Sequence, residues 1–498
     1  MDLFKKAVFR IVAFLSPILL FISVGLGQEP LTLRRALDIA IQNSPQIKHS
    51  QLNLERSREM LNARKASLKS QFSLSLTPFS YSHSQQFFDF FSTWYKSETK
   101  QSNSVFTISQ PIPWTDGTLS LINQFGWRDS YSEDPTSRTE GNSSKTYSND
   151  LYLNFRQPLF TYNRTKLELN TLKLDLENAA LSYAIQKLFL EYQVTQNFYN
   201  VYLKKASLDV SIDEYKNRQE SYKIIKNKVD AGLAAREELY QAELDMTSSK
   251  SSVQNAQTEL ENVMDSFKKL IGLSIFDDIT VTADITHHPV DVNLQKAMDT
   301  ALKYRMELRQ KEISIENAKY DLIQASATNE FRGDLNLSYG IIGTDEDVNS
   351  IFDAPTKNER FSIQFNIPLF DWGQKKSRIK AFTATVKDRQ LSLDDQKTDI
   401  IIQVRQAYRN LKNLVNQIEI ANQNVRNAEL TYDINLERYK NGDITSMDLN
   451  LFQNQLSQAK MNRISALINY KLELLNLKVL SLFDFERGEQ VVPKIEEF

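Results

Sequence analysis

The chain has 498 residues, 41% of them hydrophobic, enough for a large buried surface across two or more ordinary domains. Its 60 Lys and Arg nearly balance 62 Asp and Glu, and a net charge of −2 gives no electrostatic reason to expect a nucleic-acid partner. Cysteine is absent, which excludes disulfides, thiol catalysis, thiolate metal sites and a lipidated N-terminal cysteine, while only 13 Gly and 12 Pro favour long helices with few loops.

At the N-terminus Lys5, Lys6 and Arg10 precede an apolar run from Ile11 to Val24, and Gly25 and Gly27 occupy the −3 and −1 positions of a cut before Gln28. Residues 1–27 therefore read as a cleavable secretory signal, and the mature chain is exported. No later window offers an uninterrupted apolar stretch of ~18 residues, so a helical membrane span is not expected. An exported chain of this kind is periplasmic, secreted, or an outer-membrane β-barrel.

A first repeat is expected over 28–270. Leu31, Leu33, Ala36, Leu37, Ala40 and Ile41 have helical spacing, with Thr32 as the cap of an opening helix. A strand-rich region follows at 70–160, where Phe72, Leu74 and Leu76 alternate with Ser73, Ser75 and Thr77, and Leu151, Leu153 and Phe155 repeat the pattern. Weaker alternation runs through Phe106 and Ile108 and through Leu119, Leu121, Phe125 and Trp127. Aromatic residues crowd the first hairpin at Phe87, Phe88, Phe90, Phe91, Trp94 and Tyr95. Such strands suit a soluble sandwich or a membrane barrel with lipid outside and water inside. A long helical hairpin is expected at 163–270, and 271–289 read as a linker.

The order then recurs over 290–487: an opening helix through Leu294, Ala297, Met298 and Ala301, a β-hairpin at 333–370, a helical hairpin at 374–482, and a tail at 488–498. Pro158-Leu159-Phe160 recurs as Pro368-Leu369-Phe370 and Gly232 as Gly442, both at an offset of 210, so one unit was duplicated. The opening helices lie 261 apart, so the first copy carries 51 extra residues within its strand region. From Lys375 to Tyr439 there is no Gly or Pro, and Ile400, Val404, Ala407, Leu411, Leu414, Ile418, Ala421, Val425, Ala428 and Tyr432 alternate steps of four and three, a coiled-coil period. A helix of that length reaches ~100 Å at ~1.5 Å per residue. Helix stops follow at Gly232 and at Asn441-Gly442.

A search for enzyme chemistry finds none. There is no phosphate-cradling loop or nucleophile elbow. His287 and His288 are adjacent beside Pro289, a loop dipeptide without helical ligand spacing, and the acids scatter along helix faces. No catalytic residue, metal site or cofactor is assigned.

Arg438, Tyr439, Gly442, Asp448, Leu449, Gln455, Leu456 and Ala459 resemble the second helical turn and return helix of the TolC family of outer-membrane efflux and secretion channels. Leu31, Thr32, Leu33, Ala36, Leu37, Ala40, Ser44, Pro45 and Ile47 resemble its opening helix, and the two Pro-Leu-Phe segments match the passage from strand to helix. The resemblance covers nearly all of the mature chain. It implies a mainly α fold with a β-barrel part: tandem-duplicated coiled-coil hairpins forming a periplasmic tunnel, and transmembrane β-hairpins building a barrel shared by a homotrimer. Each chain is then expected to give four strands to twelve.

The implied partners are outer-membrane lipid, a periplasmic adaptor (membrane fusion) protein and an inner-membrane transporter, with no nucleic acid. By position, Gly232 with Leu233 and Gly442 with Asp443 are the tip turns that dock the adaptor. Tyr439 and Glu238 match gate-bonding positions, and Asp448 an acidic ring at the entrance. Ile444 and Leu451 stand where some members have a basic gate partner and a second acid, so the polar latch differs from the usual one or is missing.

Residues from about Phe79 to Tyr147 depart from the compact hairpin of the simplest members. Gln110, Pro111, Ile112, Pro113 and Trp114 read as an additional hairpin edge turning at Asp116 and Gly117, which either adds strands to the barrel or forms an outer loop that plugs it. The competing reading of the chain as a whole is a periplasmic coiled-coil scaffold or adaptor with a soluble β domain, against which the tandem duplication argues.

Overall fold

The computed structural model describes residues 30–89, 92–133, 141–286 and 288–492; the expected signal segment, His287, Phe90, Phe91 and the last residues of the tail lie outside them. Helices α1 (Leu33–Asn43) and α2 (Pro45–Ser67) lead into strands β1 (Gln71–Phe88), β2 (Thr93–Ile112), β3 (Gly117–Ser132) and β4 (Asn142–Leu159), then α3 (Arg164–Asp230) and α4 (Arg236–Ile271). The order returns as α5 (Leu294–Tyr304), α6 (Met306–Ser326), β5 (Arg332–Asp345), β6 (Thr356–Asn366), α7 (Gln374–Asn441) and α8 (Ser446–Ser481), and a short hairpin of β7 (Phe483–Asp484) and β8 (Glu489–Gln490) follows.

Each opening segment is two helices rather than one. Thr32 and Asn293 cap α1 and α5, their side chains accepting from the N–H of Arg35 (3.4 Å) and Lys296 (3.0 Å). The chain then breaks at Ser44 and Arg305, whose ψ angles of 128° and 122° are non-helical. Pro45 disfavours the α region at Ser44. In the second copy no proline does this, and Arg305 folds back onto Glu307 at 2.6 Å.

The chain forms two compact units. One comprises residues up to Ser44, 193–287 and 421–468. Its core joins Val194, Phe198 and Val201 of α3 to Phe267 and Ile271 of α4, with the Phe198 and Phe267 rings edge-on at 6.1 Å. Ala36 and Ala40 bury the inner face of α1, which packs on α4, and Leu31 bridges in parallel to Val281.

The other unit comprises 45–192, 288–420 and 469–498. Leu174, Leu181 and Ala184 of α3 pack on Met306 and Ile313 of α6, beside an Arg309–Glu177 pair with contacts of 2.6 and 3.0 Å. Along α7 the expected seam is buried: Ile400, Val404, Ala407 and Leu411 here, and Ile418, Ala421 and Val425 further on.

This second unit also holds the sheet, a six-stranded antiparallel meander in the order β1-β2-β3-β4-β5-β6. Six strands per chain replace the four that the resemblance implied. The added pair, β2 and β3, accounts for the excess length of the first copy. Directly paired residues share a face. Phe72, Ile108, Leu121, Leu153 and Tyr339 pair successively across five strands, and on the opposite face Gln71, Ser109, Ser120, Asn154, Ser338 and Arg360 pair across all six. The apolar face is uncovered within the chain, Phe72 being 68% exposed. At the helix-proximal end Phe160, Phe331 and Phe365 cluster at 5.3 and 5.7 Å, Phe370 meets Trp372 at 4.7 Å, and Trp114 is 88% exposed in the β2–β3 turn.

That turn is built into the start of α3. The Asp116 carboxylate accepts from the N–H groups of Thr165 (3.0 Å) and Arg164 (3.4 Å) and from the Thr165 hydroxyl, while the Asn163 side-chain amide donates to the carbonyls of Pro113 (2.7 Å) and Trp114 (3.0 Å). In the second copy the cap is local: Asp371 accepts from Gly373 (2.9 Å) and Lys375 (3.0 Å) N–H. Thr161 stands 210 residues before Asp371, at the corresponding position, and bonds to Glu330 instead.

Candidate functional site at the helical tips

Both helical turns lie in the first unit, and both end their helix in the same way. Gly232 N–H donates to Val229 O (2.9 Å) and Leu233 N–H to Lys228 O (2.7 Å); Gly442 N–H donates to Tyr439 O (3.1 Å) and Asp443 N–H to Arg438 O (2.9 Å). These are Schellman caps, which require a left-handed residue after the last helical turn. The φ angles of 73° at Gly232 and 87° at Gly442 meet that requirement, and nothing lies within 4 Å of a Cβ placed on either. The glycines are needed for backbone shape alone, and the turns are open. Leu233 is 78% exposed, an apolar side chain presented at a tip.

The return helices start differently. Thr445 N–H (3.1 Å) and hydroxyl (2.8 Å) donate to Asp448 Oδ2, and Asp448 N–H donates to Thr445 Oγ1 (3.2 Å), a reciprocal capping box. The hydroxyl and then the N–H of Thr445 hold the Asp448 carboxyl below its ordinary range. Asp448 thus remains charged and exposed, with one oxygen committed to the helix start. In α4 the cap position is Ala235, which has no side-chain bond, and Glu237 and Glu238 place their charges in the first turn at the positive helix end.

Tyr439 is 5% exposed, and its hydroxyl finds no hydrogen-bond partner among the described residues. Burial, then the negative charge of Glu238, pushes the phenol above its ordinary value. The Lys228 ammonium lies 5.4 Å from the Tyr439 ring centroid. Tyr439 and Glu238 therefore influence each other electrostatically without a direct bond.

A polar clamp absent from the sequence reading lies further along the same unit. Arg218 of α3 approaches Asp245 of α4 at 3.8 Å and donates to Asn454 of α8 at 3.3 Å; Asn450 of α8 donates to Asp245 at 3.0 Å. Arg218 and Asp245 thus join the first helical pair to the return helix of the second. These residues lie on three helices, and only the signature of a charged pair on inward faces marks them.

Residues 124–273 and 297–481 match the outer membrane efflux protein family. The chain belongs to this family. Among relatives, the cation efflux system protein CusC of Escherichia coli K12 is 21% identical over 316 residues, 62% of this chain and 67% of CusC; its O157:H7 counterpart is matched over 56% of its length. Among solved structures, the Campylobacter jejuni CmeC outer membrane channel superposes with a TM-score of 0.69 at 15% identity, covering 93% of this chain and 87% of CmeC. The open state of the Neisseria gonorrhoeae MtrE outer membrane channel gives 0.65 at 16%, covering 90% and 88%. As an outer membrane efflux protein the chain is a channel component of the outer membrane with its helical part in the periplasm, and the scaffold or adaptor reading is set aside. The family is one of channels rather than enzymes.

Proposed function

We propose that three copies of this chain form the exit duct of a tripartite efflux or type I secretion system, through which substrate passes without covalent chemistry. The tips at Gly232, Leu233, Gly442 and Asp443 dock on a periplasmic adaptor, which couples the duct to an inner-membrane transporter. Tyr439, Glu238 and Asp448 sit at the aperture, and the Arg218–Asp245–Asn450 clamp takes the place of the usual latch. The observation that carries this reading is the pair of open, glycine-capped turns in one compact unit, one of them presenting Leu233. An open six-stranded sheet supports assembly, since six strands are too few for a membrane barrel of at least about eight.

The natural absence of cysteine makes the test direct. Leu233→Cys and Asp443→Cys, carrying a photoactivatable crosslinker in cells, are expected to capture the adaptor, whereas a label at exposed Leu430, further back along α7, is not. Export-competent cells with no adaptor adduct at either tip would sink the docking assignment.

A further inference from the structure

We propose that β2 and β3 are wall strands, so that three chains close a barrel of eighteen strands in which β1 of one copy pairs antiparallel with β6 of the next. The number of copies rests on the exit-duct reading above; the number of strands per copy does not.

Three observations carry it. First, the added hairpin continues the two-faced pattern of its neighbours in register. Ile108 and Leu121 fall between Phe72 of β1 and Leu153 of β4 on the apolar face, and Ser109 and Ser120, bonded through their hydroxyls at 3.4 Å, fall between Gln71 and Asn154 on the other. A loop folded into the lumen has no need of an apolar face, whereas a lipid-facing wall does. Second, the turn of the hairpin places Trp114 at the same end of the sheet as the Phe160, Phe331 and Phe365 cluster, where an interfacial aromatic girdle belongs, and Asp116 and Asn163 fix it to α3.

Third, among the described residues β1 pairs only with β2 and β6 only with β5, leaving two open edges. Open edges are untenable in lipid, where every backbone N–H and C=O needs a partner. In a six-stranded meander the first and last strands run in opposite directions, so edges from successive copies meet antiparallel and the count stays even, as bacterial barrels require. Strands ~4.8 Å apart and tilted by ~40° each occupy ~6 Å of circumference, so eighteen enclose a backbone cylinder ~36 Å across, against ~24 Å for twelve. The added hairpin widens the outer-membrane segment by about half.

The full chain purified from outer membranes and imaged by single-particle electron microscopy tests this. A threefold particle with eighteen wall strands is the expected result. A threefold particle with twelve, and β2 and β3 lying off the wall, overturns the proposal while leaving the exit duct intact; any other symmetry overturns the three-copy duct and the total of eighteen, and fewer than six wall strands per copy overturns the wall position of β2 and β3. Single cysteines give an independent measurement in bilayers. A fluorophore at Leu121→Cys is expected to be quenched by spin-labelled lipid to within about twofold of one at Leu337→Cys in β5, and one at Ser120→Cys by aqueous iodide instead. Quenching at Leu337→Cys without quenching at Leu121→Cys refutes a wall position for β3.

Discussion

Tyr439 shows how one side chain can carry a cost at neutral pH and a switch at alkaline pH. A buried hydroxyl without a partner loses its hydration with nothing in return, so Tyr439→Phe is expected to leave thermal stability at pH 7 unchanged or to raise it by about 1 kcal/mol. The raised phenol pKa fixes the sign of the pH dependence: the neutral form is favoured by folding, and that contribution is present below the unfolded value near 10 and lost as pH rises through the folded one. Melting curves of the purified wild type should therefore fall above pH ~10 more steeply than those of Tyr439→Phe; identical slopes would show that Tyr439 does not titrate with unfolding. Asp116 makes a second residue-scale case. Asp116→Ala is expected to weaken the first turn of α3 by about 0.5–2 kcal/mol, the usual worth of an N-cap, read as faster amide exchange at Arg164 and Thr165. Thr161→Asp combined with Glu330→Gln should recover part of the loss by recreating the local cap seen at Asp371; no recovery would mean the two helix starts are not equivalent.

Among the elements, the long helices were the most legible, because a seam alternating steps of three and four admits only one packing face, and the residues it named from Ile400 to Val425 are mostly buried. Helix caps were legible for the same local reason at Thr32, Gly232 and Gly442. The break at Arg305 was not, since no proline marks it and it depends on a side chain folding back on Glu307. The asymmetry of the two tips yields an element-scale prediction. Ala235→Thr places a cap three residues before Glu238, recreating the Thr445–Asp448 box, and should slow amide exchange in the first turn of α4, whereas Thr445→Ala should hasten it in α8 by a factor equivalent to about 1 kcal/mol. At the turns themselves, Gly442→Pro cannot adopt a φ of 87°, and export should be lost while the assembled channel still forms. Full export in that variant would dissociate tip shape from docking.

For the whole molecule, the sheet and the clamp mark where reading a sequence stops. The edge at Gln110 and the turn at Asp116 announced an extra hairpin, but whether it joined the wall depended on registers spanning five strand pairs, which alternation within single strands does not encode. The clamp was missed because Arg218, Asp245 and Asn450 are brought together only by tertiary packing. If it holds the aperture shut, Asp245→Ala should raise outer-membrane permeability to large antibiotics severalfold without lowering channel abundance on immunoblots; an unchanged susceptibility profile would assign the clamp to structure alone. The bond from Asp116 to the start of α3 bears on the history of the chain as well as its stability. The first copy has Thr161 where the second has its own capping acid, so excising 93–141 strips α3 of the Asp116 carboxylate and leaves it only the Asn163 side chain, which accepts from Lys166 N–H at 2.7 Å, while gaining an acid at Thr161 first sets it beside Glu330. Neither single step backward is neutral, and the duplicated halves are committed to remaining unequal.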